Sequence, residues 1–192
     1  MNIIELLIDE KNPLSGIDAV SIVHDPAIEE NFIALKKHEV ELKQIDSEKR
    51  ILMGAALIPN KQIYRKNKDE EFYVFFSEKT VRRASELFLQ KSNQNNATME
   101  HEKQLTGMTV VESWIIEDKK MDKSAKYGFD LPIGTWMISM KVENDEVWKD
   151  VKDEKIKGFS IEGYFADKIQ NSSNVENNEI INQLKKLLNG EI

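Results

Sequence analysis

Ser160 lies in the stretch KGFSIEGYF, which has the composition of a β-strand. Phe159 and Ile161 are strand formers, and side chains alternate between the two faces of a strand, so the hydroxyl points away from both. Gly158 and Gly163 leave little side-chain bulk around it, and an interior glycine often marks close approach of another backbone. Ser160 is therefore either an ordinary solvent-facing serine or a nucleophile that an extended substrate can approach.

A serine nucleophile needs a base to accept its proton, and histidine suits that task because it titrates near neutral pH. The chain has three histidines. His24 precedes Asp-Pro at a predicted turn, and His38 lies in a charged run. His101 ends a predicted strand, ATMEH, which would place it at the rim of a sheet. The sequence thus indicates Ser160 and His101 as a nucleophile and base, with a structural role for His101 as the alternative.

A third group usually orients the histidine in such sites. Glu112 interrupts the apolar run VVESWII, so its carboxylate is either exposed or paired within a site. Glu100 and Glu102 adjoin His101, and strand alternation would aim them away from its face. Glu162 follows the serine by two residues and shares its face. We favour Glu112 as the third catalytic residue, which requires a wide loop or a bent strand, and Glu162 is its competitor.

The composition excludes several other classes of function. The chain has 192 residues, a net charge of −7 and no cysteine. Thiol catalysis is excluded, and the acidic charge argues against nucleic acid as a partner. No apolar run approaches the roughly 18 residues of a membrane span, so no membrane partner is expected. There is no metal-binding His-Glu-x-x-His motif and no glycine-rich nucleotide loop, so neither a metal nor a cofactor is expected.

The pattern of apolar residues predicts an α+β domain with a mostly antiparallel sheet, closed into a barrel and flanked by a few helices. The predicted strands cover residues 3–8, 16–23, 51–58, 71–76, 97–101, 108–116, 134–142 and 157–165. Residues 63–64 are predicted to continue the pairing after a turn at 59–60. One predicted helix follows Ser77 through Lys91, and a shorter one is capped by Asn144. The domain spans residues 1–168. Residues 169–192 form a polar linker and an amphipathic helix at 179–189, which either binds a partner or folds back on the domain.

Several stretches are similar to the XkdF-like prohead proteases of tailed bacteriophages. They come in the order of the family and cover about residues 17–166. The stretches are DAVSIVHDPAIEENFIAL, MGAALIPNKQIYR, NQNNATMEHE, TVVESWIIED, DLPIGTWMISMKVENDEVW and KGFSIEGYF.

The resemblance implies a β-barrel serine endopeptidase like the herpesvirus assembly protease. Carried onto this chain, the nucleophile is Ser160 and the base is His101, while the third member is not placed by the resemblance. The implied substrates are the phage major capsid protein and scaffold protein, and often the enzyme itself. The implied location is the procapsid during its assembly in the host cell cytoplasm, and a homodimer is compatible with the resemblance. The alternative functions are a catalytically idle scaffold protein of the same fold and a small-ligand-binding barrel.

Overall fold

The computed structural model describes residues 2–24, 33–35, 49–66 and 71–170. The predicted helix at 179–189 lies outside the described residues. Within the described ranges, no helix is both long enough and apolar enough to cross a membrane.

Twelve β-strands are the main secondary structure of the described part of the chain. They are β1 (Asn2–Leu7), β2 (Gly16–Val23), β3 (Ile33–Leu35), β4 (Ile51–Leu57), β5 (Ile63–Lys66), β6 (Glu71–Phe76), β7 (Ala97–Met99), β8 (Lys103–Leu105), β9 (Met108–Ile115), β10 (Trp136–Val142), β11 (Gly158–Tyr164) and β12 (Ala166–Gln170). The helices are α1 (Glu78–Gln90), α2 (Lys123–Lys126) and α3 (Asp145–Lys152), and a 3₁₀ turn spans Asn93–Asn95.

The strands form three four-stranded sheets. The first sheet has the order β12-β1-β6-β5, the second β3-β4-β10-β9 and the third β11-β2-β7-β8. All ladders are antiparallel except β1 with β6 and β2 with β7. The predicted α+β class and the mostly antiparallel pairing are confirmed. The predicted closed barrel is not found in the described residues, because the ladders end at the edges of three separate sheets.

Helix α1 packs its apolar stripe into the core. Val81, Ala84 and Phe88 are fully buried. The Phe88 ring contacts Trp136 of β10 edge to face, with 5.4 Å between ring centroids. The predicted helix is confirmed, and its apolar spacing is the reason that it lies on the sheets.

The two predicted helix caps have different outcomes. Asn144 caps α3, because its Oδ1 accepts a hydrogen bond from the Val147 backbone N–H at 3.1 Å. Ser77 stands at the N-cap position of α1 but makes no side-chain cap bond. Its hydroxyl instead lies 3.1 Å from the Thr80 hydroxyl.

Most predicted strands are present within one or two residues of their predicted bounds, but strands β3, β8 and β12 and helix α2 were not predicted. The strand predicted at 97–101 ends earlier, at Met99, and His101 lies in the following turn. Strand β12 continues to Gln170 and pairs with β1. The sheet therefore extends two residues beyond the predicted domain boundary at 168.

Gly163 allows the backbone of β2 to approach β11 closely. The register of the two strands shifts between Glu162 and Gly163. A Cβ atom at Gly163 would overlap the Gly16 carbonyl oxygen and lie 2.8 Å from Ile17 Cα. The glycine was predicted to give a substrate room, but the space is filled by the protein's own strand.

Replacing Gly163 with alanine should destabilise the domain. The added methyl group would meet backbone atoms, which cannot move aside as a flexible side chain does, so we expect a loss of at least about 3 kcal/mol in the free energy of unfolding. Urea denaturation measures it. Gly128→Ala is the control, because an added Cβ there meets no atom within 4 Å, although the positive φ of Gly128 (+83°) strains any side chain. The free energy of unfolding of the Gly128→Ala control should fall by about 1–2 kcal/mol. Equal losses for the two variants would contradict the steric explanation.

Candidate active site

Three hydroxyl side chains form a row across the third sheet. Ser160 of β11 is the register partner of Ser21 of β2, and Ser21 is the register partner of Thr98 of β7. Directly paired residues point to the same face of a sheet, so the three hydroxyls share one face. Glu162 lies on this face too, because it follows Ser160 by two residues in the same strand.

His101 is held in a tight turn between β7 and β8. The Glu102 N–H donates to the Met99 carbonyl at 3.0 Å, which closes the turn. Glu100 and His101 occupy its two central positions with φ of 50° and 62°. These values are typical of a type I′ hairpin turn, which favours asparagine and glycine rather than the residues found here. Such a backbone is strained, and strain of this kind is concentrated at functional sites.

Strand β2 and the residue that follows it, His24, hold this turn in place through three hydrogen bonds. The Glu100 N–H donates to the Ile22 carbonyl at 3.1 Å, and the Glu100 carboxylate accepts from the His24 N–H at 2.7 Å. The His101 N–H donates to the Ser21 hydroxyl at 3.0 Å. The turn is thereby fixed over the face that carries Ser160.

The carboxylate beside His101 belongs to Glu162. The distance between His101 Nδ1 and Glu162 Oε1 is 3.2 Å. The same oxygen accepts a hydrogen bond from the Thr98 hydroxyl. A proton on Nδ1 satisfies this contact and leaves the Nε2 lone pair free to accept another proton. The pair is partly open to solvent, since 43% of the His101 side chain and 30% of the Glu162 side chain are exposed.

Ser160 lies on the same face as this pair but is not hydrogen-bonded to it. Its hydroxyl makes no hydrogen bond within the described part of the chain, and it is half-buried. Catalytic hydrogen bonds are often long in the absence of substrate and shorten when it binds. The structure therefore brings the predicted Ser160 and His101 to one face without joining them.

A cavity of about 100 Å³ lies beside Ser160. Its walls come from all three sheets and are mostly apolar: Leu6, Leu57, Ile63, Val74, Phe76 and Ile161 are among its lining residues. Arg65 contributes a charged group to the lining, and burial lowers the pKa of its guanidinium. An apolar cavity next to a candidate nucleophilic serine can hold a side chain of a bound peptide.

Glu112 lies elsewhere, on the edge strand β9 of the second sheet. Both of its carboxylate oxygens accept hydrogen bonds from Lys123 Nζ, at 2.7 and 2.5 Å. The hydrogen bond from Lys123 is the main reason that the pKa of Glu112 lies below its usual value. The contact that we predicted between Glu112 and His101 is not formed, and the competing carboxylate, Glu162, makes it instead.

Sequence reasoning missed two polar residues of this face, Ser21 and Thr98. Ser21 is completely buried. A buried hydroxyl needs a hydrogen-bond partner, and a serine inside the apolar run AVSIV was the available signal. The described residues contain no group of three or more acidic, histidine or cysteine side chains that could hold a metal ion.

A serine, a histidine with a free Nε2 and a carboxylate on Nδ1 are the groups that serine peptidases use. A family model described as "Peptidase_S78_2: Putative phage serine protease XkdF" matches residues 39–170. The match spans more than half of the chain, and the chain belongs to this family. Searches of curated proteins and of solved structures gave no match.

The Glu112–Lys123 pair should affect stability rather than catalysis. Because Lys123 lowers the pKa of Glu112, the pair stabilises the folded protein at pH values above the ordinary pKa of the carboxyl group. This stabilisation is lost as the pH falls through the lowered pKa. Glu112→Gln should therefore lower the free energy of unfolding at pH 7 by no more than about 1 kcal/mol, as is typical of exposed pairs, and the difference should vanish in acid. Peptidase turnover should stay close to that of the wild type. A large loss of turnover would contradict this prediction and favour Glu112 as a catalytic residue.

Proposed function

We propose that this protein is a serine endopeptidase whose catalytic groups are Ser160, His101 and Glu162. The observation that carries the proposal is the contact between Glu162 and His101 on the face that also presents Ser160. Family membership supports a protease role independently of this geometry. Glu162 replaces Glu112 in the proposal because Glu162 contacts the imidazole.

In the proposed reaction, Ser160 Oγ attacks the carbonyl carbon of the scissile peptide bond while His101 Nε2 accepts the hydroxyl proton. The tetrahedral intermediate collapses as the imidazolium gives this proton to the leaving amine, which leaves an acyl group on Ser160. Water then attacks the ester, with His101 again serving as base, and hydrolysis restores the free serine. Glu162 holds the imidazole in the required tautomer and stabilises its positive charge.

The substrates that we propose are the phage major capsid protein and scaffold protein, together with the enzyme itself. The proposed place of action is the procapsid, during phage assembly in the host cell cytoplasm. The family description supports a phage protease, and the finer assignment to capsid maturation is our proposal. The likeness to the herpesvirus assembly protease is also part of the proposal, in that a strand carries the serine and a separate segment supplies the histidine.

The apolar cavity beside Ser160 supports a preference for substrates with an apolar side chain near the scissile bond. Incubation with purified capsid and scaffold proteins of the same phage, followed by mass spectrometry of the new termini, would identify the cleaved bonds. Apolar residues should recur at one position beside these bonds. An absence of cleavage would favour the idle scaffold protein instead.

Ser160→Ala should abolish cleavage with little change in melting temperature, because the hydroxyl forms the covalent bond to substrate. His101→Ala should be about as damaging, since nucleophile and base act as a unit; in a well-studied serine protease such losses reach about a millionfold in turnover. Cleavage followed by gel and mass spectrometry measures both variants. Substantial activity in a folded Ser160→Ala protein would exclude the serine mechanism.

Glu162→Gln should reduce turnover far more than Glu112→Gln does. The amide of glutamine can stabilise the wrong tautomer of the histidine, and the equivalent change in a serine protease triad costs about ten-thousandfold. The two variants are matched, since each exchanges one carboxylate for an amide of the same shape. If Glu162→Gln keeps normal turnover, the site works as a Ser160–His101 dyad or takes its third group from elsewhere.

A further inference from the structure

Two hydroxyl groups contact the proposed catalytic residues without having a role in the reaction itself. Ser21 is completely buried in β2, and Thr98 is half-buried in the neighbouring strand β7. Each hydroxyl is in contact with the histidine or with its carboxylate.

Ser21 acts on the backbone of His101. Its hydroxyl accepts the His101 N–H at 3.0 Å and lies 3.5 Å from the Thr98 carbonyl oxygen, at the limit of a hydrogen bond. His101 has a left-handed backbone, which a residue with a side chain rarely adopts without support. Loss of the Ser21 hydroxyl would leave the His101 N–H without this partner and weaken the hold of β2 on the turn.

Thr98 acts on the carboxylate. Its hydroxyl donates to Glu162 Oε1, which is also the oxygen that contacts His101 Nδ1. This bond restricts rotation of the carboxylate about its own axis and keeps that oxygen directed at the imidazole. Without it, the carboxylate can turn toward solvent, because the Glu162 side chain is about one-third exposed.

We propose that Ser21 and Thr98 are positioning residues, which fix His101 from two sides on the face that also carries Ser160. Ser21 fixes the backbone of the histidine, and Thr98 fixes the carboxylate that orients its ring. The proposal rests on the proposed serine peptidase function. A displacement of about 1 Å in such a site can reduce turnover about a hundredfold.

Thr98→Val and Thr98→Ser form the matched pair that tests the role of Thr98. Valine keeps the shape of threonine and loses the hydroxyl, so kcat for a cleaved peptide should fall about 10- to 100-fold with little change in KM. Serine keeps the hydroxyl and should retain most of the turnover. In a Glu162→Gln background, Thr98→Val should have little further effect, because the threonine acts through that carboxylate.

The test of Ser21 compares kcat with KM. Ser21→Ala should lower kcat to a similar extent with little change in KM, because the imidazole is displaced while the groups that bind the peptide are unchanged. Ser85→Ala is the control, because it removes another buried hydroxyl, one that donates to the Arg82 carbonyl within helix α1. Its kcat should stay close to that of the wild type.

The outcomes separate this proposal from the proposed function. If Ser160→Ala retains activity, the serine mechanism fails, and the positioning proposal fails with it. If Ser160→Ala is inactive while Thr98→Val and Ser21→Ala keep normal kcat, only the positioning proposal is overturned. Equal effects of Thr98→Val in the wild-type and Glu162→Gln backgrounds would show a purely structural role and would also overturn it.

Discussion

The geometry of the site depends on the hydrogen bonds by which β2 holds the left-handed turn at Glu100 and His101. Two consecutive non-glycine residues in this conformation cost about 1–3 kcal/mol each. Two hydrogen bonds to β2 and one to His24, the residue that follows it, contribute about 0.5–1.5 kcal/mol net each and offset a comparable amount. The turn therefore persists because a rigid neighbouring strand stabilises it, and the position of His101 is a property of the third sheet as a whole.

Strand β2 brings together segments that are far apart in the sequence. It pairs antiparallel with β11 on one side and parallel with β7 on the other. The parallel pairing requires a long crossover, and the chain between β2 and β7 includes strands of the other two sheets and helix α1. The proposed nucleophile, base and carboxylate are thereby positioned by one central strand that contributes no proposed catalytic group of its own.

The sequence predicts the elements of this fold better than the contacts between them. Apolar periodicity was sufficient to predict the long strands and helix α1, whose stripe of apolar side chains ends at Phe88. It was insufficient for β8, which has the sequence KQL and is a strand because it pairs with β7. The turn at His101 was not predicted, because neither of its left-handed residues is a glycine or an asparagine. Ser160 and His101 are predicted by residue type and by the family resemblance, and their catalytic roles stay predictions. The carboxylate that contacts His101 depends instead on that turn and on the register of β11.

The difference between the two candidate carboxylates is one of charge as well as position. Glu112 is already neutralised by the ammonium group of Lys123, and moving it to His101 would break that pair. Glu162 contacts no lysine or arginine side chain in the part of the chain that the structure describes. Its carboxylate contacts the Thr98 hydroxyl and the His101 imidazole. Its negative charge is therefore not cancelled before the reaction begins. In the proposed reaction His101 takes the proton of Ser160, and the imidazole becomes positive next to this carboxylate. The interaction would then be stronger in the transition state than in the resting enzyme. Only an interaction that strengthens in this way lowers the barrier to reaction, and the Glu112–Lys123 pair cannot provide it.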